Sequence, residues 1–284
     1  HIGGRKHAPA GGAYFSTMNP YTSQDWAEVA QCGARDVDAA VAAAGIAVET
    51  GDWPALNATQ RGALIRRMGD KLAEHAEELA RYEVRDNGKL INEMLGQMRY
   101  LPQWYYYFGG LADKVEGAVI PIDKPEQFNF TLQEPLGVVA AMTPWNSPLL
   151  LLSFKLAPAL AAGNTFVVKP SEYTSTSTLR FAELAEEAGL PPGVLNVVTG
   201  YGAEAGAALV EHPDVAKVTF TGGGQTGARV YQAAAKSLKR CTLELGGKSP
   251  NIVFDDAVLD NAVKGAVAGI FAATGQTCIA GSRL

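Results

Sequence analysis

Between Gly137 and Leu245 short apolar runs alternate with helical stretches, and that rhythm restricts the fold more than any other feature of the chain. The runs Gly137–Ala141, Asn164–Val168, Val194–Val198, Ala216–Phe220 and Thr242–Leu245 have the length and side chains of strands. Helical patterns fall between them, at Pro148–Ala161, Thr176–Ala188, Ala203–Val210 and Gln225–Ala235. Gly189 followed by Pro191 and Pro192 closes the second helix, because glycine tolerates the left-handed cap and proline cannot continue. Strands joined by helical crossovers run parallel and are covered on both faces. The expectation is an α/β fold with a mostly parallel sheet. Ligands of such sheets sit at the carboxyl ends of the strands, so every strand-to-helix turn is a candidate site.

The first third reads as helical. Thr59 is the expected cap of a helix whose apolar positions Ile65, Met68, Leu72, Ala76 and Leu79 recur at spacings of three and four, ending at Asn87-Gly88. A second helix is expected from Asn92 to Leu111, carrying the aromatic cluster Trp104 to Phe108 as core or interface. From Glu116 to Glu134 the pattern turns strand-like: Val119–Ile122 and Phe128–Leu132 flank a polar turn at Asp123–Glu126. This is a hairpin arm, serving assembly or lying on its own domain.

Composition narrows the function. The 284 residues are 47% hydrophobic, enough for a sizeable core, and the net charge of −5 with scattered Lys and Arg gives no footprint for nucleic acid. The apolar stretches Val138–Met142 and Leu149–Leu152 are too short to span a bilayer, and the polar, glycine-rich start does not resemble a secretory leader. Three widely spaced cysteines (Cys32, Cys241, Cys278) argue against a disulfide framework or a zinc cluster and favour the cytoplasm. A small molecule is the expected partner, with no membrane and no metal. His1 in place of methionine implies a processed, tagged or incomplete start. Ile279–Leu284 carry no stop signal, so the polypeptide is expected to continue.

Five segments carry candidate chemistry. In Thr143-Pro144-Trp145-Asn146-Ser147-Pro148, Asn146 or Ser147 could cap the next helix, or Asn146 could offer an N–H to an oxyanion. In Lys169-Pro170-Ser171-Glu172, Lys169 and Glu172 could hold vicinal ribose hydroxyls or form a solvated ion pair. Gly222, Gly224 and Gly227 satisfy G-x-G-x-x-G between a strand and a helix, where backbone N–H groups suit a pyrophosphate. An acid follows about 20 residues on, Glu244, which a conventional dinucleotide fingerprint assigns to the ribose. In Glu244-Leu245-Gly246-Gly247-Lys248 that same carboxylate could be a base or could pair with Lys248. Gly275-Gln276-Thr277-Cys278 follows a small-residue helix expected at Ala262–Ala273. A lone cysteine is commonly a small hydrophobe, but this one lies in a polar, glycine-flanked loop where a thiolate can be exposed.

Taken in order, Pro144-Trp145-Asn146, Lys169-Pro170-Ser171-Glu172, Phe220-Thr221-Gly222, Glu244-Leu245-Gly246-Gly247-Lys248-Ser249-Pro250 and Gly275-Gln276-Thr277-Cys278 closely resemble the aldehyde dehydrogenase superfamily, in its hydrolytic, non-acylating branch. The resemblance implies a Rossmann-like sheet with an oligomerisation hairpin and a second, catalytic α/β domain. The implied bounds are 1–115 and 136–246 for NAD binding, 116–135 for the arm and 247–284 for the start of the catalytic domain, its remainder absent. It also implies NAD-linked oxidation of an aldehyde to an acid, with Cys278 as nucleophile, Asn146 as oxyanion donor, Glu244 as base and Lys155 assisting proton traffic. The cofactor positions are Thr143, Pro144, Trp145, Asn146, Lys169, Ser171, Glu172, Gly202, Phe220, Thr221, Gly222, Gly223, Thr226, Gly227, Leu245 and Gly246. Here Glu244 moves from ribose ligand to base, and Glu172 disfavours a 2′-phosphate, so NAD is expected over NADP.

Three departures from the family pattern stand out. Gly223 stands where many relatives have serine, and Ser147 where many carry an aromatic, which widens the substrate tunnel; Tyr100 and Trp104 are further candidate walls. The catalytic domain continues well beyond the nucleophile in the family. The alternatives are a CoA-acylating enzyme, against which Glu244 argues, and an inactive NAD-binding fragment. A homodimer or homotetramer is the implied assembly.

Overall fold

The computed structural model describes residues 1–284. An antiparallel hairpin opens it, β1 (Tyr14–Asn19) with β2 (Gln24–Ala30). Six helices follow: α1 (Ala34–Glu49), α2 (Asp52–Ala55), α3 (Ala58–Glu74), α4 (Ala76–Asn87), α5 (Ile91–Tyr100) and α6 (Pro102–Leu111). Then come β3 (Val138–Met142), α7 (Pro148–Ala161), β4 (Thr165–Lys169), α8 (Thr176–Glu187), β5 (Leu195–Val197), α9 (Ala207–Glu211), β6 (Val215–Gly222), α10 (Gly224–Ala235) and β7 (Arg240–Leu245). The last helix is α11 (Leu259–Phe271).

The five central strands form one parallel sheet in the order β5-β4-β3-β6-β7. Successive side chains on a strand point to opposite faces. Accordingly Val139, Ala141, Phe166 and Val168 join one buried cluster with α3, α4, α7 and α8. Val138, Ala140, Met142 and Val167 join the other, with α1, α9 and α10. The same alternation gives β6 a mixed character: Val218 and Phe220 enter the second cluster, while Lys217, Thr219 and Thr221 face the opposite way. No helix of the chain is long and apolar enough to cross a membrane.

Several elements differ from the sequence expectations, each for a local reason. The first third is not purely helical, since β1 and β2 precede α1. Asn57, not Thr59, caps α3: its Oδ1 accepts from Gln60 N and Gln60 Oε1 accepts from Asn57 N, both at 2.9 Å. The periodic stripe is broken at His75 into α3 and α4, and Gly88 ends α4 at φ 71°. The expected Asn92–Leu111 helix is two helices meeting at Leu101-Pro102, because proline brings no N–H to continue the ladder. The arm at 116–134 turns back on itself through one antiparallel bridge, Val119 with Phe130, rather than two full strands. Ala203–Val210 opens as a π-turn over Gly202–Gly206 before α9. The small-residue helix runs Leu259–Phe271 and buries no side chain.

One buried carboxyl organises the start of α7. Glu83 lies on the stripe Leu72, Ala76, Leu79 and is fully buried. Its Oε1 accepts from Leu149 N at 2.9 Å, satisfying one of the helix's orphan donors. Ser147, the N-cap residue, makes no side-chain cap of its own. Burial pushes the Glu83 carboxyl up to about 8, against the bond from Leu149 N and the charge of Lys89. A carboxyl whose folded value exceeds its unfolded one keeps its proton longer in the native state, so stability falls as pH rises from about 4.5 toward 8. Glu83→Gln should flatten the stability–pH curve across that window in urea titrations. The residual slope of the same sign belongs to Asp86, raised by burial to about 6.

Candidate active site

One cavity of about 840 Å³ runs along a face of β6 and β7 and beside α7 from Leu150 to Ala159, and at the carboxyl ends of the strands it meets Asn146 and the loop after α11. Asn146, Lys155, Glu244 and Cys278 all line it. Each arrives by a different route. Asn146 ends the turn after β3, Lys155 projects from α7, Glu244 shares the β7 face with Thr242, and Cys278 sits on the loop after α11. Thr219 and Thr221 extend the polar strip across β6. Ser147 lines the cavity as well.

The cysteine loop is fixed by strained backbone and three hydrogen bonds. Ala273, Thr274 and Gly275 are left-handed in succession, at φ 54°, 60° and 71°. Such a conformation costs a non-glycine residue about 1–3 kcal/mol. Ala273 N donates to Glu93 Oε1 at 3.2 Å, and Gln276 Nε2 donates to Asn87 O at 3.0 Å. Asn146 Nδ2 donates to Gln276 O at 2.8 Å, while Asn87 Nδ2 donates to Asn146 O at 3.3 Å. Asn146 is thereby held from both ends, and the start of α7 is capped by Glu83 at Leu149 N. An asparagine amide carries two N–H bonds, so one is free for an oxyanion.

The Cys278 side chain is exposed and free, whereas Cys32 is buried and Cys241 partly so. Burial lowers the Lys155 ammonium to about 8, and the Glu244 carboxylate opposes that fall. Both side chains line the same cavity. Lys248, the other candidate partner for Glu244, forms no salt bridge with it, and its backbone carbonyl accepts from Arg283 Nε at 2.7 Å.

The remaining turns make a continuous shelf at the strand ends. Lys169 is buried, and its Nζ donates to Pro170 O at 2.7 Å and lies 3.4 Å from Glu172 Oε2. This pair is anchored, not solvated. Trp145 is exposed beside it in the neighbouring turn, and Gly202 opens the π-turn that follows β5. Gly223 caps α10 in extended backbone, and a Cβ on it, on Gly224 or on Gly246 would meet nothing. Gly222 and Gly227 differ, for a Cβ would strike the Phe220 ring at 2.5 Å or Leu245 at 2.6 Å. Those two glycines serve packing, and the open ones leave room for a ligand against the helix N-terminus, with Thr226 in its first turn. Thr143 Oγ1 and Thr221 Oγ1 are buried without partners at the ends of β3 and β6. Ser171 Oγ accepts from Tyr173 N at 3.4 Å within the β4 turn.

Two expected wall residues lie outside the cavity. Tyr100 is exposed at the end of α5, and Trp104 packs on Phe108 and on Phe154, its ring 4.4 Å from the latter. Phe154 itself lines the cavity, so Trp104 backs the wall without forming it. Sequence reasoning missed Lys89, Gln97, Asn87 and Glu83. Only Glu83 left a signal, a charge on an apolar helical stripe.

Comparison with known proteins agrees with this geometry. The model of the aldehyde dehydrogenase family matches residues 7–284. A hydroxyisobutyraldehyde dehydrogenase of Mycolicibacterium austroafricanum is 50% identical over 96% of this chain and 54% of its own length. A (Z)-2-((N-methylformamido)methylene)-5-hydroxybutyrolactone dehydrogenase of Acinetobacter baylyi is 47% identical over 96% of this chain and 56% of its own. The NAD+ complex of an aldehyde dehydrogenase from Bacillus cereus superposes with a TM-score of 0.97 at 45% identity, covering 99% of this chain and 57% of that one. The chain thus spans about half the length of the curated relatives it matches. In sequence, fold and arrangement of the strand-end turns, the chain belongs to the aldehyde dehydrogenase family.

Proposed function

We propose that the protein oxidises a small aldehyde to a carboxylic acid with NAD, through a thiohemiacetal and then a thioester on Cys278. The meeting of Asn146, Lys155, Glu244 and Cys278 in one cavity is the observation that carries this reading. The Cys278 thiolate attacks the aldehyde carbon, and the oxygen becomes an anion. Asn146 Nδ2 and the Cys278 backbone N–H donate to it. NAD held at the strand-end turns would supply the acceptor for the hydride lost from the former aldehyde carbon. Glu244 then takes a proton from water, whose oxygen attacks the thioester carbonyl and releases the acid and the thiolate. Lys155, in the same cavity as Glu244, passes that proton onward in its neutral form.

Fit to NAD is supported by the open glycines of the α10 turn, by the partnerless hydroxyls of Thr143 and Thr221, and by the anchored Lys169–Glu172 pair. Glu172 would accept from ribose hydroxyls and repel a 2′-phosphate. Phe220, Gly222, Leu245 and Gly246 shape the shelf beside these groups. By this reading residues 1–115 and 136–246 form the NAD-binding unit, 116–135 the arm, and 247–284 the start of the catalytic domain. The exposed Phe128, Phe130 and Leu132 of the arm suit burial against another copy, as a homodimer or homotetramer. Three free thiols suit the reducing cytoplasm.

Aldehyde-dependent NADH formation with a carboxylic acid as product tests the assignment; acyl-CoA made from aldehyde, NAD and CoA would overturn its hydrolytic part. Asn146→Ala should cost about 2.7–4 kcal/mol in kcat, the usual loss for an oxyanion donor. Steady-state kinetics with both cofactors should give a higher kcat/KM for NAD than for NADP, and Glu172→Gln should narrow the gap. The kcat–pH profile should climb through about 8 as Lys155 loses its proton and becomes a base. Lys155→Met should flatten that limb.

A further inference from the structure

One wall of the cavity is rich in hydrogen-bond donors with nothing to receive them. Lys89 is 4% exposed, and its one side-chain hydrogen bond runs from Nζ to Ser147 Oγ at 2.9 Å. Ser147 Oγ in turn donates to Gln97 Oε1 at 3.2 Å. Gln97 Nε2 is buried with no partner at all. An ammonium has three N–H bonds and a primary amide two, so four donors remain unused around this corner. All three residues line the same cavity as Cys278.

We propose that Lys89, Ser147 and Gln97 bind a carboxylate at the far end of the aldehyde, which makes ω-carboxy aldehydes (semialdehydes of short dicarboxylic acids) the preferred substrate class. This rests on the active-site reading given above. A carboxylate is acceptor-only and offers about four lone-pair sites, the complement of four idle donors. A neutral alkyl tail would leave those donors buried and unsatisfied, at a cost that an oxygen ligand removes. The corner also carries positive charge. Glu83 and Glu93 act on Lys89 through space but make no bond to its ammonium, and burial keeps the Glu83 carboxyl protonated to about 8. Ser147 matters by its size, since its hydroxymethyl leaves the ammonium open to the cavity and bonds to it. The rest of the wall near Lys155, with Leu150, Leu151 and Phe154, is apolar and suits the methylene chain between the two ends.

The test compares glutaric semialdehyde with pentanal, which share a five-carbon chain, in the protein that carries this sequence. Wild type should favour the semialdehyde by at least roughly tenfold in kcat/KM, mainly through KM. Lys89→Met should bring that ratio toward one, and Gln97→Leu, on half-buried α5 surface, should lower it several-fold should the lysine variant not fold. Calorimetry supplies a readout independent of turnover: glutarate should bind more tightly than pentanoate in wild type and lose that advantage in either variant. Pentanal oxidised as well as the semialdehyde, or a preference unchanged in both variants, would overturn the carboxylate corner while leaving the active-site reading intact. A protein that oxidised neither aldehyde yet bound glutarate through Lys89 would overturn the active-site reading and support the corner.

Discussion

Asn146 donates its amide N–H to the carbonyl of Gln276, and Gln276 reaches past it to the carbonyl of Asn87. Through these two bonds the Cys278 loop is held against the end of β3 and the end of α4 together. The loop has little else to define it, because α11 before it buries no side chain and its own backbone is left-handed at Ala273 and Thr274. The α7 terminus beside Asn146 is held separately, by Glu83 accepting from Leu149 N out of the core of the helical layer. A buried carboxyl, expensive in isolation, is tolerated because it satisfies a helix terminus and can stay protonated.

The sheet supplies the second constraint. Parallel strands send all their carboxyl ends to one edge, so chemistry-bearing turns far apart in sequence become neighbours. The pleat then decides which side chains share a face. Glu244 and Thr242 on β7 and Thr219 and Thr221 on β6 line the cavity, while Leu243, Val218 and Phe220 pack into the opposite cluster. A register shift of one residue on β7 would bury Glu244 and expose Leu243.

Much of this was legible in the sequence, where local chemistry and tertiary role coincide. The β–α rhythm, the Gly88 helix stop and the strand-end motifs depend on short-range pattern, and they appear where expected. Capping was read less well: Thr59 and Asn57 are both plausible caps, and only the reciprocal bond with Gln60 distinguishes them. The long aromatic helix was misjudged because Pro102 can open a new helix as readily as it ends one. Lys89 and Gln97 were invisible for another reason. A lysine after a helix stop and a polar glutamine on α5 do not stand out in the sequence pattern, and their role arises only when Ser147 is brought beside both.

On the proposed function, Cys278 forms a covalent thioester which Glu244 is needed to hydrolyse. Rapid quenching of the Glu244→Gln protein with aldehyde and NAD, followed by mass spectrometry of the peptide containing Cys278, addresses it directly. The expected result is an acyl adduct on Cys278 in near-stoichiometric amount, with one burst of NADH and little further turnover. Steady oxidation without any adduct, or an adduct on a residue other than Cys278, would contradict it.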